Sequence, residues 1–196
     1  MPTGYTAKLM EKGQTFQEYV LTCARAFGAL IMMRDAPNDA SIPDEFRPSN
    51  RHVEELEKEE NKYIHLKSMT DDERIEFGQK AKRDEIKRNQ EWLEKDQMEN
   101  KRLNEMESQV LAWKPPTKDH EGLKDFMLQQ INISKNNENY ILEAIEKATK
   151  KSPSDYYIEA VSKAQWNINY HTEEGKKEIE RTNGRNEWIK QLRASI

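Results

Sequence analysis

The side chains that could do chemistry are few. The chain of 196 residues holds one cysteine, Cys23, and four histidines, His52, His65, His120 and His171. A cysteine nucleophile needs a base to activate it, and no histidine lies near Cys23 in sequence. Its surroundings, FQEYVLTCARAFGALIMM over residues 16–33, are mostly apolar, so Cys23 reads as a small buried hydrophobe. One cysteine cannot close a disulfide within the chain, which points to a reducing cytoplasm. His120-Glu121 and His171-Thr172-Glu173-Glu174 contain zinc-ligand residue types. No two histidines stand at i and i+4, however, and there is no second cysteine. His171 also falls on an apolar helical seam, which predicts a packed or hydrogen-bonded ring. No metal site and no cofactor site is assigned.

Nucleotide chemistry finds no better footing. There is no Walker loop and no G-x-G-x-x-G after a strand. Thr182-Asn183-Gly184-Arg185-Asn186 reads as a helix kink with exposed polar side chains. Carboxylates are spread over helix faces, and none stands out as a general acid or base. Arg34-Asp35, directly after the apolar run, is the best-placed charged pair, with a C-terminal cap as its plainer reading. No catalytic residue is assigned, and the expectation is a protein that is not an enzyme.

Composition limits what could position a site. Hydrophobic and charged residues are 35% each, against roughly 45–50% and about 25% in ordinary globular domains. The chain is therefore short of core material. Seven glycines and seven prolines imply few turns and long elements. Helices suit this, because each buries only one stripe. The net charge of -4 comes from interleaved acidic and basic residues, as on solvated helices with (i, i+4) pairs. Duplex nucleic acid selects a clustered basic face, so nucleic acid is not expected as a direct partner. No membrane span is expected either: the run 26–33 is far shorter than the roughly 20 residues a span needs. No secretory leader is visible.

Read along its length, the chain predicts an all-α fold. It has a small apolar N-terminal helical head and long charged helices in antiparallel, coiled-coil-like hairpins. Residues 1–14 read as irregular. Thr15 predicts an N-cap, with Glu18 in the capping-box position, and a helix running to about Met33. That helix is apolar nearly all round, so it should be buried on most sides. Pro37, Pro43 and Pro48 mark 34–50 as a loop or linker. A second helix runs from Ser49 or Asn50 to about Lys67. Thr70 with Glu73 starts a third, which Lys114-Pro115-Pro116 stops near Trp113. A fourth begins near His120 or Glu121, with a break in the Asn-rich stretch NISKNNENY. After a turn at 151–155, a last helix carries Tyr157, Val161, Ala164, Ile168, His171 and Gly175, then Ile179, Thr182, Asn186 and Ile189, with Asn183-Gly184 as its expected kink or break. The implied organisation is a head with its linker over 1–48, a charged hairpin over 49–116 and a long hairpin over 117–196.

A sticky head on a lean charged body is how adaptors and inhibitors are built. Trp, Tyr and Arg dominate interface energies. The candidate partner-binding residues are therefore Phe27, Arg34 and Asp35 around the apolar run, and Trp166, Arg185 and Trp188 on the last helix.

The start MPTGYTAKLMEKGQTFQEYVLTCARAFGALIMMRD and the later stretches PPTKDHEGLKDFM and YHTEEGKKEIERTNGRNEWIKQLRAS resemble a family of small bacteriophage- and prophage-encoded accessory proteins. The resemblance spans nearly the whole chain and carries no activity or site residue with it. It implies a bacterial cytoplasm and an accessory role. The expected function is binding a host or phage protein complex, modulating or inhibiting a host defence complex during infection. A self-assembling scaffold or virion-associated protein, hence a homo-oligomer, is the alternative. A small enzyme or nucleic-acid-processing factor is the further one.

Overall fold

A computed structural model describes residues 4–37 and 40–196, with the side chain of Lys12 left aside. The readings of 1–14 and 34–50 extend over residues 1–3 and 38–39, which lie outside the described residues. Among the described residues the fold is all-α, without strands. The helices are α1 (Ala7–Lys12), α2 (Phe16–Ala24), α3 (Arg51–Ser68), α4 (Asp71–Ala112), α5 (Glu121–Ser134), α6 (Glu138–Lys150) and α7 (Pro153–Ala194). Short 3-10 turns occupy Gly28–Met33 and Lys118–His120. The expected irregular start thus contains one short helix. The chain divides into two compact units. One comprises residues up to 62 and from 164 onward; the other comprises 63–163.

In the first unit, α2 begins as expected. The Thr15 backbone N–H donates to Glu18 Oε2 at 2.8 Å, and the Glu18 N–H donates to Thr15 Oγ1 at 3.2 Å, a reciprocal capping box. The helix does not reach Met33. It ends at Ala24, Phe27 is extended, and Gly28 takes φ of +53°, a conformation that costs glycine little. A Cβ at Gly28 would lie 3.3 Å from the Trp188 ring, so the indole packs where a side chain would stand. With three residues per turn in the 3-10 segment, Leu30 and Met33 share the inner face. Leu30, Ala24 and Ile189 form the core, with Met33, Ile42, Phe46, Trp188 and Leu192 against them.

The loop 42–50 is a strap on α7. Phe46 N–H donates to Asn186 Oδ1 at 2.8 Å, and Asn186 Nδ2 donates to Phe46 O at 2.9 Å. Arg193 donates to Asp44 at 2.8 Å and to the Ile42 carbonyl at 2.9 Å. Ser49 N–H reaches Glu178 at 3.4 Å. These anchors hold α7 helical through Asn183-Gly184, where the sequence predicts a kink or break, so the helix is not broken there. Thr182 is buried and Asn186 is fixed to the strap, and packing outweighs the propensity cost of one glycine, about 1 kcal/mol.

In the second unit, α5 and α6 run antiparallel to α4, so the long hairpin turns at Lys114-Pro115-Pro116. The sequence instead pairs these helices with α7 around residues 152–155. Lys124 Nζ, on α5, donates to the carbonyls of Leu111 and Trp113 at the end of α4, at 2.8 and 2.9 Å. At the far end, Lys82 donates to Lys151 O at 2.8 Å. Between them, the break at 135–137 sits on Asn100, which accepts from Asn136 N–H at 2.8 Å and donates to Asn136 O at 3.0 Å. The start of α7 closes on α4: a Cβ at Gly78 would lie 2.0 Å from Pro153 O. Tyr157 meets Phe77 edge-on and donates to Leu66 O at 2.9 Å.

Candidate protein-docking face

The apolar run forms only one buried side. A nine-residue helix followed by a 3-10 turn presents a single face to α7, and the rest faces outward. Phe16 and Phe27 are 72% and 73% exposed, Ile31 is 53% exposed, and Met32 is nearly half exposed. Leu9 and Met10 of α1 are also exposed. The expectation of a helix buried on most sides is therefore corrected. The helix ends at Ala24, and the chain passes through an extended Phe27 into a 3-10 segment that starts at Gly28. Cys23 is half-buried rather than fully buried, and its hydrogen bond holds the Tyr19 hydroxyl above its ordinary value.

The six candidate residues separate into three groups. Phe27, Arg34 and Asp35 lie on the outside of the head. Arg34 and Asp35 pair with each other, Nε to Oδ1 at 3.2 Å. Each shifts the other: the bond and charge of Arg34 lower the Asp35 carboxyl, and those of Asp35 raise Arg34. Arg185 and Trp188 face the head from α7. The Arg185 guanidinium stands 5.1 Å over the Phe46 ring, and half-buried Trp188 packs on the core beside Gly28. Both hold the head in place. Trp166 is remote from them, roughly 33 Å from Trp188 along the axis at about 1.5 Å per residue. It is 63% exposed and stacked on Tyr170 at 5.3 Å.

Sequence reasoning missed Phe16, Ile31 and Met32 as surface residues. The signal was Gly28 inside an apolar run, since an isolated glycine weakens the case for a helix continuing through it. It also missed that His52 and His171, far apart in the chain, meet at 3.1 Å.

A groove of about 550 Å³ lies between α1, α2 and the strap, lined by Gln14, Glu18, Thr22, Arg25 and Arg193 among others. Arg25 donates to Ala36 O at 2.9 Å and to Pro37 O, and Arg193 holds the strap carbonyls. The guanidinium groups of this groove thus position backbone. Among the described residues no group of three or more His, Cys, Asp or Glu could hold a metal ion. No helix there is long and apolar enough to cross a membrane. In comparisons with known proteins, no family model matches the chain, and no curated protein or solved structure matches it.

Proposed function

We propose that this protein is a non-catalytic binding protein whose head docks a second protein through Phe16, Phe27, Ile31 and Met32. The observation that carries this reading is the exposure of two phenylalanines, 72% and 73%, on a segment whose other side is anchored to α7. Phe27, Ile31 and Met32 lie within one short exposed stretch; exposed apolar patches mark interaction sites, and aromatic anchors dominate binding energy. The paired Arg34 and Asp35 stand beside them as polar rim. The resemblance to phage accessory proteins supports a docked protein that belongs to a complex of the bacterial host, modulated or blocked in its cytoplasm.

A photo-crosslinking residue at Phe27, compared with one at exposed Glu105, tests this in infected cells. The expected result is one discrete adduct with a different protein at position 27 and none at 105. An adduct of twice the chain mass would replace the reading with self-assembly, and no adduct at position 27 would remove it.

A further inference from the structure

The fold brings two of the four histidines together in the first unit. His52, in the first turn of α3, faces His171 on α7 with Nδ1 to Nδ1 at 3.1 Å. The ring centroids are 5.3 Å apart, so the rings meet nitrogen to nitrogen and not face to face. Tyr170 packs edge-on to both, with centroids at 6.2 and 5.1 Å. The pair forms one wall of a groove of about 260 Å³ with Pro48, Val53, Leu56 and Ile179.

Two imidazole nitrogens at this distance form a bond only if one carries a proton and the other a lone pair. In the neutral pair one ring is therefore the Nδ1–H tautomer. A first added proton enters at the free Nε2 of that donor ring. The Nδ1–H to Nδ1 bond survives and becomes charge-assisted. A second proton finds only the accepting Nδ1. Taking it removes the lone pair and sets two cationic rings against each other.

The neighbouring charges act crosswise. Glu55, on α3, senses His171; Glu174, on α7, senses His52. Both carboxylates favour a cation between the helices. Each is also shared with a lysine, Lys58 at 2.6 Å and Lys177 at 2.8 Å, and Arg51 and Arg181 act on them too. Lys176 lines the groove, and Pro48, Ser49 and Asn50 bring no charge.

We propose that His52 and His171 form a proton-operated clasp between α3 and α7, tightest with one added proton and opened by the second. Opening frees the first turn of α3, which continues from the strap whose Ile42 and Phe46 cover the head's core.

Nitrogen-15 NMR of the histidine rings in the full chain, from about pH 8 to about pH 4.5 across the imidazole range, tests this. At the alkaline end, where the pair is neutral, one of the two rings should be the Nδ1–H tautomer, and the pair should take up protons in two separated steps. In His171→Gln, the separated steps should be lost, and His52 should titrate in one step. Finding both wild-type rings as Nε2–H tautomers would overturn the clasp, and this reading needs no variant to fold. So would a His52 titration unchanged by His171→Gln. One equivalent of zinc shifting both rings at saturation would also overturn it, reassigning the pair as metal ligands.

Discussion

At the scale of single residues, two asparagines perform the same task. Asn100 and Asn186 each sit on a long helix, and each exchanges two hydrogen bonds with one backbone residue of a non-helical segment, Asn136 and Phe46. A side-chain amide offers one donor edge and one acceptor edge, matching the peptide it faces. Replacing either by alanine leaves a peptide N–H and C=O unpaired and should cost about 1–3 kcal/mol. Asn169→Ala, at an exposed position on α7, should stay within about 0.5 kcal/mol. Urea unfolding of the three variants measures this, and equal midpoints would show that the clamps contribute nothing. Tyr156 gives a second test. Burial, and then the Glu85 carboxylate, push its hydroxyl up to about 12, against about 10 in the unfolded chain. The folded state thus holds its proton longer. The resulting stability is complete below about pH 10 and is lost as pH rises toward about 12. Phenolate absorbance should show a late-ionising component, and Tyr156→Phe should diminish it, with Tyr19 contributing the remainder.

At the scale of elements, the same substitution should have opposite signs at two glycines. A Cβ at Gly184 would meet nothing within 4 Å, and the residue lies inside continuous α7. Gly184→Ala should raise stability by roughly 0.5–1 kcal/mol, the helix-propensity difference. Gly78→Ala drives a methyl to 2.0 Å from the Pro153 carbonyl. The backbone of α4 must then move away from α7, with loss of more than about 1 kcal/mol. Thermal midpoints check both; an unchanged or lowered midpoint for Gly184→Ala would restore the break that the Asn183-Gly184 pair suggests. These glycines also show what was legible. Helix starts at Thr15 and Thr70, the stop before Pro115, and the gap in the Asn-rich stretch depend on local hydrogen bonding and steric rules, so they can be read directly. Which helix α5 and α6 adopt as partner depends on Lys82 and Asn100 finding carbonyls far along the chain, and no local pattern encodes that. Gly28 and Gly184 look alike in sequence. The positive φ and the Trp188 ring at one, and the continuous helix and open space at the other, separate them.

At the scale of the whole molecule, the apolar run serves two purposes that its composition does not distinguish. Leu30 is fully buried in the first unit's core, and Phe27, three residues earlier, is 73% exposed. Read as one amphipathic stripe, both positions should be equally sensitive to a charge. The structure separates them. Leu30→Asp places a carboxylate among the side chains of Ala24, Ile189 and Trp188. That costs several kcal/mol, comparable with the roughly 5–15 kcal/mol that holds a domain folded. Phe27→Asp exposes its carboxylate to water and should leave stability within about 0.5 kcal/mol of the parent. If Phe27 is a docking anchor, the same variant should weaken capture of the crosslinked partner at least about thirtyfold, since an anchor of this type contributes about 2 kcal/mol or more. Circular dichroism melts and affinity measurements on the two variants decide the matter together. A Phe27→Asp protein that melts like the parent and binds like the parent would leave the exposed phenylalanine without a docking role. One that unfolds like Leu30→Asp would mean that the head closes over Phe27, and that its outward face is core after all.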